Sequence, residues 1–215
     1  VVINPTPVGG GVYNGNAQIC LNSSTGNMTL GGGYVGNVVR WEKRLNSGSW
    51  TSISNTSTVY SENPSVAGTW DYRAVVGSGS CPVVYSTPFN VVVNPELTIS
   101  LVSNNSAACS SNTNSSLSYT ATTGNASAIK IDFDNAANTA GVQDINYQSV
   151  AASGGSGTIT IQYAYGTASG VYNGILTVIK NFPACTSSIT YPVTLTISSS
   201  TTSASITAQP TDKVI

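Results

Sequence analysis

The 215-residue chain contains no histidine at all. That absence removes Ser-His-Asp triads, Cys-His dyads and every zinc site that needs an imidazole. Charge is scarce too: 7% of residues are Asp, Glu, Lys or Arg, against roughly 25% in an average soluble domain. With a formal net charge of −1, nothing stands out to hold a polyanion, which disfavours nucleic acid as a partner. No run approaches the roughly 18 apolar residues of a membrane span. There is also no charged start followed by an apolar stretch, so no signal peptide is visible.

The polar mass comes instead from Ser, Thr, Asn and Gly. With few aromatics this composition would suit a disordered chain. Here 11 Tyr, 3 Trp and many Val and Ile fall in short runs, the pattern of β-sheet with uncharged polar faces.

A phrase is stated twice: VVINP at 1–5 and VVVNP at 91–95. Proline removes a strand donor and restrains the residue before it, so a strand must stop at each NP. The expected division is a tail of a preceding module (1–5), one module (6–95), a second (96–198), and a polar linker with the start of a third (199–215). The opening inside a strand and the ending ITAQPTDKVI point to a piece from the middle of a longer chain.

Four cysteines repeat the division. Cys20 follows Pro5 by 15 residues and Cys109 follows Pro95 by 14; Cys81 precedes Val93 by 12 and Cys185 precedes Ile197 by 12. Of three possible connectivities, Cys20–Cys81 with Cys109–Cys185 keeps each bridge inside one module, and that pairing is expected. The alternatives are four free thiols or a zinc site, the latter disfavoured by the lack of C-x-x-C and of His. Disulfides would place the protein outside the cytosol.

Strands are expected at AQICL (17–21), NMTLG (27–31), NVVRWEKRL (37–45), SWTSIS (49–54), STVYS (57–61) and TWDYRAVV (69–76). Alternation puts Val39, Trp41 and Lys43 on one face and Val38, Arg40, Glu42 and Arg44 on the other, with Trp41 in the core and Glu42 facing Arg73 as an exposed pair. PVVYSTPFNVVV (82–93) closes the module as an edge or irregular strand because of Pro82 and Pro88. The second module offers LTISLV (97–102), LSYTATT (117–123), AIKIDF (128–133), GTITIQYAY (157–165), GVYNGILTVI (170–179) and ITYPVTLTI (189–197), with a helical turn in DNAANTAGV (134–142). The fold class is all-β: two tandem β-sandwich domains, with the strand count and buried Trp of the first in the immunoglobulin-like pattern.

These phrases resemble a known family. IC-x(8)-TL (19–30), VVRWEK (38–43), SWTSI (49–53), AGTWDYRAVV (67–76) and SGSCPVVYS (78–86) are similar to the immunoglobulin-like repeats of very large secreted adhesins of gliding Bacteroidota, exported by the type IX system. IDFDNAANTAGVQD (131–144), SGVYNGILTV (169–178) and ACTSSITYPVTLTI (184–197) look like the PKD-like domain that alternates with them. The resemblance implies an extracellular, cell-surface filament serving adhesion and gliding motility. It implies no catalytic residues and no cofactor. The implied partners are neighbouring modules of the same chain and a surface polysaccharide or substratum. The rival reading is a carbohydrate-binding or spacer module of a secreted enzyme.

Three sets of residues invite a chemical role. Asp132 and Asp134 share a strand face and, with Asp144, Asn135 and Asn138, could supply oxygens to calcium. The spacing departs from the EF-hand template, with Ala136 at the fifth position and no glycine at the sixth; turn-capping is the competing role. Trp50, Tyr85, Tyr163, Tyr165 and Tyr172 could form a sugar platform, against the commoner role of sheet packing. Six N-x-S/T triplets begin at Asn22, Asn27, Asn55, Asn104, Asn114 and Asn125, as expected by chance in a chain so rich in these residues. The GGG runs at 9–11 and 31–33 precede neither a helix nor a lysine and serve as strand ends.

Overall fold

A computed structural model describes residues 4–151, 153–181 and 185–199. The expected third-module start at 206–215 and most of the linker lie outside the described residues.

The first half builds nine strands: β1 (Gly11–Tyr13), β2 (Gln18–Cys20), β3 (Met28–Gly31), β4 (Asn37–Leu45), β5 (Thr51–Ile53), β6 (Val59–Tyr60), β7 (Gly68–Gly77), β8 (Val84–Tyr85) and β9 (Phe89–Asn94). They form one sheet in the order β1-β3-β6 and another in the order β2-β9-β7-β4-β5, with β8 attached to β7. The second half builds β10 (Ile99–Leu101), β11 (Asn105–Cys109), β12 (Asn114–Thr122), β13 (Ala128–Phe133), a one-turn helix α1 (Asn135–Ala140), β14 (Ile145–Ser149), β15 (Gly157–Gln162), β16 (Gly170–Lys180) and β17 (Cys185–Ser198). Its sheets run β10-β12-β15 and β11-β17-β16-β13-β14. The two orders are the same order. In each half a short second strand adds in parallel to the last one, β2 to β9 and β11 to β17. All other pairings between named strands are antiparallel. A three-stranded sheet facing a larger one, of six strands in the first half and five in the second, is the immunoglobulin-like sandwich.

Each half has its own core. Met28, Trp41, Tyr72, Ala74, Val76 and Val91 are fully buried in the first; Leu117, Ile129, Ile159, Ile161, Leu176 and Leu195 fill the second. The two clusters share no residue. Turn chemistry explains much of the Asn content: Asn14, Asn22, Asn46 and Asn125 all have positive φ, which Asn tolerates better than most residues.

Two strand readings need correction. Val39 does not share the core with Trp41; it is 45% exposed, whereas Val38 is buried. A bulge between Val38 and Arg40 shifts the pairing with β7, so the residue three before Trp41 faces inward with it. The last strand of the first half is not an edge, because β9 is flanked by both β7 and β2. Its irregularity is real and splits it into β8 and β9 around Ser86–Pro88.

Candidate functional site

The feature that the chain's chemistry singles out is the joint between the halves. Asn94, the last residue of β9, is buried at 8% exposure. Its amide nitrogen donates to the Ile19 carbonyl at 3.0 Å, and its Oδ1 accepts from Lys180 Nζ at 2.6 Å. Its own carbonyl accepts from the Leu21 amide at 3.1 Å. Lys180 ends β16 in the second half, so one side chain is hydrogen-bonded to both halves. Gly124 lies under the joint at φ +71°, where a Cβ would strike Leu97, Glu96 and Pro95; only glycine allows that approach.

Beside Asn94 a disulfide crosses the joint. Cys20 is bonded to Cys185, with Cα atoms 5.7 Å apart. Cys81 and Cys109 are free thiols, the first half-buried and the second exposed. The expected pairings Cys20–Cys81 and Cys109–Cys185 are therefore wrong, and register gives the reason. Cys109 pairs across the ladder with Ser198, the last residue of the 14-residue β17, while Cys185 is the first. At about 3.3 Å per residue those positions stand about 40 Å apart, far beyond the 4.4–6.8 Å a disulfide spans. Cys20 likewise pairs with Asn94 at the far end of β9, whereas Cys81 sits in the turn before β8. Instead of sealing a module, the bridge ties the end of one sandwich to the β16–β17 hairpin of the next.

Charge is concentrated on the outer face of the first half's larger sheet. Glu42 accepts from Arg40 at 2.7 Å and from Arg73 at 2.7 Å, with its side chain only 7% exposed. The Glu42–Arg73 pairing was legible in the sequence, but the carboxylate is buried rather than exposed. Burial works to raise its pKa; the hydrogen bonds from Arg73 and Arg40 outweigh it and hold it lowered. Arg73 lies between two rings, 3.9 Å from Trp50 and 3.9 Å from Tyr85, and Arg44 pairs with Asp71 at 2.8 Å.

A second ionic knot closes the end of this core. Glu62 accepts from Lys43 Nζ at 2.6 Å, from Tyr60 at 2.8 Å and from the fully buried Tyr72 at 2.6 Å. Burial presses the Glu62 carboxyl upward, but Lys43, Tyr72 and Tyr60 together bring it below its ordinary value. Burial and the neighbouring carboxylate push both tyrosines well above theirs. The signs follow. The lowered Glu62 contributes stability that is full above its ordinary 4.5 and is lost as pH falls through the folded value. The raised tyrosines contribute stability that is full below their ordinary 10.0 and is lost as pH rises beyond it. Glu62→Gln should therefore cost about 2 kcal/mol at neutral pH and flatten both the acid and alkaline limbs. Urea midpoints measured across the pH range check this; a variant with unchanged limbs would refute it.

The sequence-level candidates are placed as follows. Asp134 caps α1, accepting from the Ala137 amide at 2.8 Å. Asp144 accepts from the Phe133 amide at 2.9 Å. Asp132 is exposed on β13. The Asn138 amide nitrogen donates to Asp144 Oδ1 at 3.2 Å and to the Val142 carbonyl at 3.0 Å. Among the described residues no group of three or more acids or thiols could hold a metal ion. The five aromatics do not come together. Trp50 and Tyr85 belong to the first half, with Arg73 occupying their facing surfaces. Tyr163 is buried and donates to the carbonyls of Cys109 and Asn114, at 3.2 Å each. Tyr165 is 76% exposed, and Tyr172 donates to the Ala168 carbonyl at 2.8 Å. Of the N-x-S/T asparagines, Asn22 and Asn125 hold left-handed turns and Asn55 accepts from the Ser57 amide.

A family described as a domain of unknown function (DUF8696) matches residues 9–95, which covers the first sandwich and ends at the joint. No curated protein matches the sequence. Among solved structures, fibronectin(III)-like modules of CbhA from Clostridium thermocellum align at 13% identity and TM-score 0.37, over 92% of this chain and 94% of theirs. The FN1–FN3 domains of chicken CNTN1 align at 11% identity and TM-score 0.37, over 90% and 67%. Extracellular domains 3–5 of Drosophila OTK align at 13% and 0.30, over 92% and 68%. No functional reading is taken from likeness at this level. Among the described residues no helix is long and apolar enough to cross a membrane.

Proposed function

We propose that this chain is a non-catalytic, load-bearing segment of an extracellular bacterial surface protein. Its modules, residues 6–95 and 96–198, are repeated to give reach and stiffness in adhesion and gliding motility. The observation that carries this reading is the joint: one strand order used twice in tandem, linked by Asn94-Pro95, of which Asn94 is buried, and by a disulfide that crosses between sandwiches. A bond in that position stabilises the relation between modules, which matters only if the relation is the function. It also suits an oxidising compartment outside the cytosol. Once the bridge is reduced, tension between the start of β2 and the end of β9, or between the start of β11 and the end of β17, would shear all the hydrogen bonds of each parallel pair together rather than open them one by one. The sequence resemblance to repeats of gliding adhesins supplies the biological setting.

Antibodies against the purified chain should label intact, unpermeabilised cells of the bacterium that encodes it, and beads coated with them should be carried along the cell surface. Absence of surface label would overturn the reading. Glycan binding that disappears in Trp50→Ala would replace it with the carbohydrate-binding alternative.

A further inference from the structure

Cys81 and Cys109 fit no role in the joint just described, yet their positions are not arbitrary. Cys109 ends β11 as Cys20 ends β2, and both strands pair in parallel with the final strand of their half. Cys81 precedes Asn94 by 13 residues and Cys185 precedes Ser198 by 13, where Asn94 and Ser198 are the register partners of Cys20 and Cys109. Each free thiol therefore occupies, in its own sandwich, the place that a bonded cysteine occupies in the other. The formed bridge uses the bottom cysteine of the first module and the top cysteine of the second. What is left over is one top cysteine, Cys81, and one bottom cysteine, Cys109.

A second observation marks the top of the first module as a docking face of the same kind. At the formed joint, Asn94 of the VVVNP phrase reaches Lys180, the register partner of Cys185. At the other end, Asn4 of the VVINP phrase packs against Gly79 so closely that a Cβ there would collide with its amide. Gly79 stands in the turn that carries Cys81, whose amide donates to the Ser78 carbonyl at 3.0 Å. The Asn-Pro phrase thus meets the hairpin turn in both halves. In the formed joint the ladder partner of that asparagine is the bridging Cys20.

We propose that Cys81 and Cys109 are half-bridges to further modules of this topology. Cys81 bonds a cysteine at the end of a β2-type strand, and Cys109 bonds a cysteine in the β16–β17 type hairpin of the module beyond. The result is a covalent ladder in which every joint of the filament is crossed twice, once by backbone and once by sulfur. Each bond forms as two thiols lose two protons and two electrons to a small disulfide such as oxidised glutathione, which is reduced to two thiols. The inference rests on the tandem-module reading but not on adhesion, so its test can fail while surface labelling succeeds.

The test is a thiol map of the native protein isolated from its cells, with free thiols alkylated before digestion. Cleavage by trypsin leaves Cys81 and Cys109 on one peptide, since no Lys or Arg lies between Arg73 and Lys130; a second cleavage after Glu96 separates them. The Cys20–Cys185 pair serves as internal standard. The expected result is that both cysteines are found joined to peptides of other modules or of a second copy, the Cys81 partner coming from a strand end and the Cys109 partner from a hairpin. Recovery of either as an alkylated thiol, or capped by a small thiol, would overturn the proposal. So would linkage to a protein without this strand order.

Discussion

Trp41→Ala is expected to destabilise the first sandwich by about 4 kcal/mol while leaving the second folded. Trp41 is fully buried, lies 5.7 Å from the Tyr60 ring and donates its indole N–H to the Ser57 carbonyl at 2.8 Å. Truncation of a buried aromatic costs about 3–5 kcal/mol through lost transfer energy and the cavity left behind. For a domain of this size that corresponds to a fall in Tm on the order of 20 °C. The measurement is clean because all three tryptophans, Trp41, Trp50 and Trp70, lie before residue 95. Fluorescence of Trp50 and Trp70 then follows the first module alone. Methyl resonances of Leu117, Ile161 and Leu195 follow the second core. A common shift of both signals would mean one cooperative unit and refute two separate cores.

Trp41 also shows how far sequence patterning reaches. Its burial, the Tyr72–Ala74–Val76 face and the Glu42–Arg73 register all follow from alternation and β-propensity. Val38 and Val39 were exchanged because a bulge breaks the two-residue period, and nothing in NVVRWEKRL marks where. The pattern offers no strand at β1, β11 or β14: GVY is only three residues long, and NSAAC and INYQS carry few β-branched residues; backbone pairing at a sheet edge makes them strands. The cysteine spacing correctly showed that Cys20 resembles Cys109 and Cys81 resembles Cys185. It could not show which end of a sandwich each occupies. That depends on the parallel register of β2 with β9 and of β11 with β17, a contact between residues about 75 to 90 positions apart. The same limit applied to the acids. DFDNAA places Asp132 and Asp134 on one face if the strand continues, but the strand ends at Phe133 and Asp134 turns to cap α1.

The largest effect should come from cutting the Cys20–Cys185 bond under load. The bridge spans a sequence separation of 165 and so encloses residues 21–184, a loop of 164 that holds most of both cores. Tension applied to the chain's ends passes from Cys20 to Cys185 through sulfur. With the bond intact, the 164 enclosed residues cannot extend even if both sandwiches lose their hydrogen bonds. At about 3.5 Å per extended residue, the oxidised 215-residue chain can pay out only its remaining 51 residues, about 180 Å. The reduced chain, or Cys20→Ser, can reach about 750 Å. Single-molecule stretching with and without reductant therefore separates the two by about fourfold in contour length, with two module-sized unfolding steps seen only after reduction. At zero force the same bond, closing so long a loop, raises stability by about 5 kcal/mol in the chain-entropy account, distributed over both modules rather than confined to one. A full-length extension of the oxidised chain would show that force does not run through the joint, and with it the mechanical role proposed for the segment would fall.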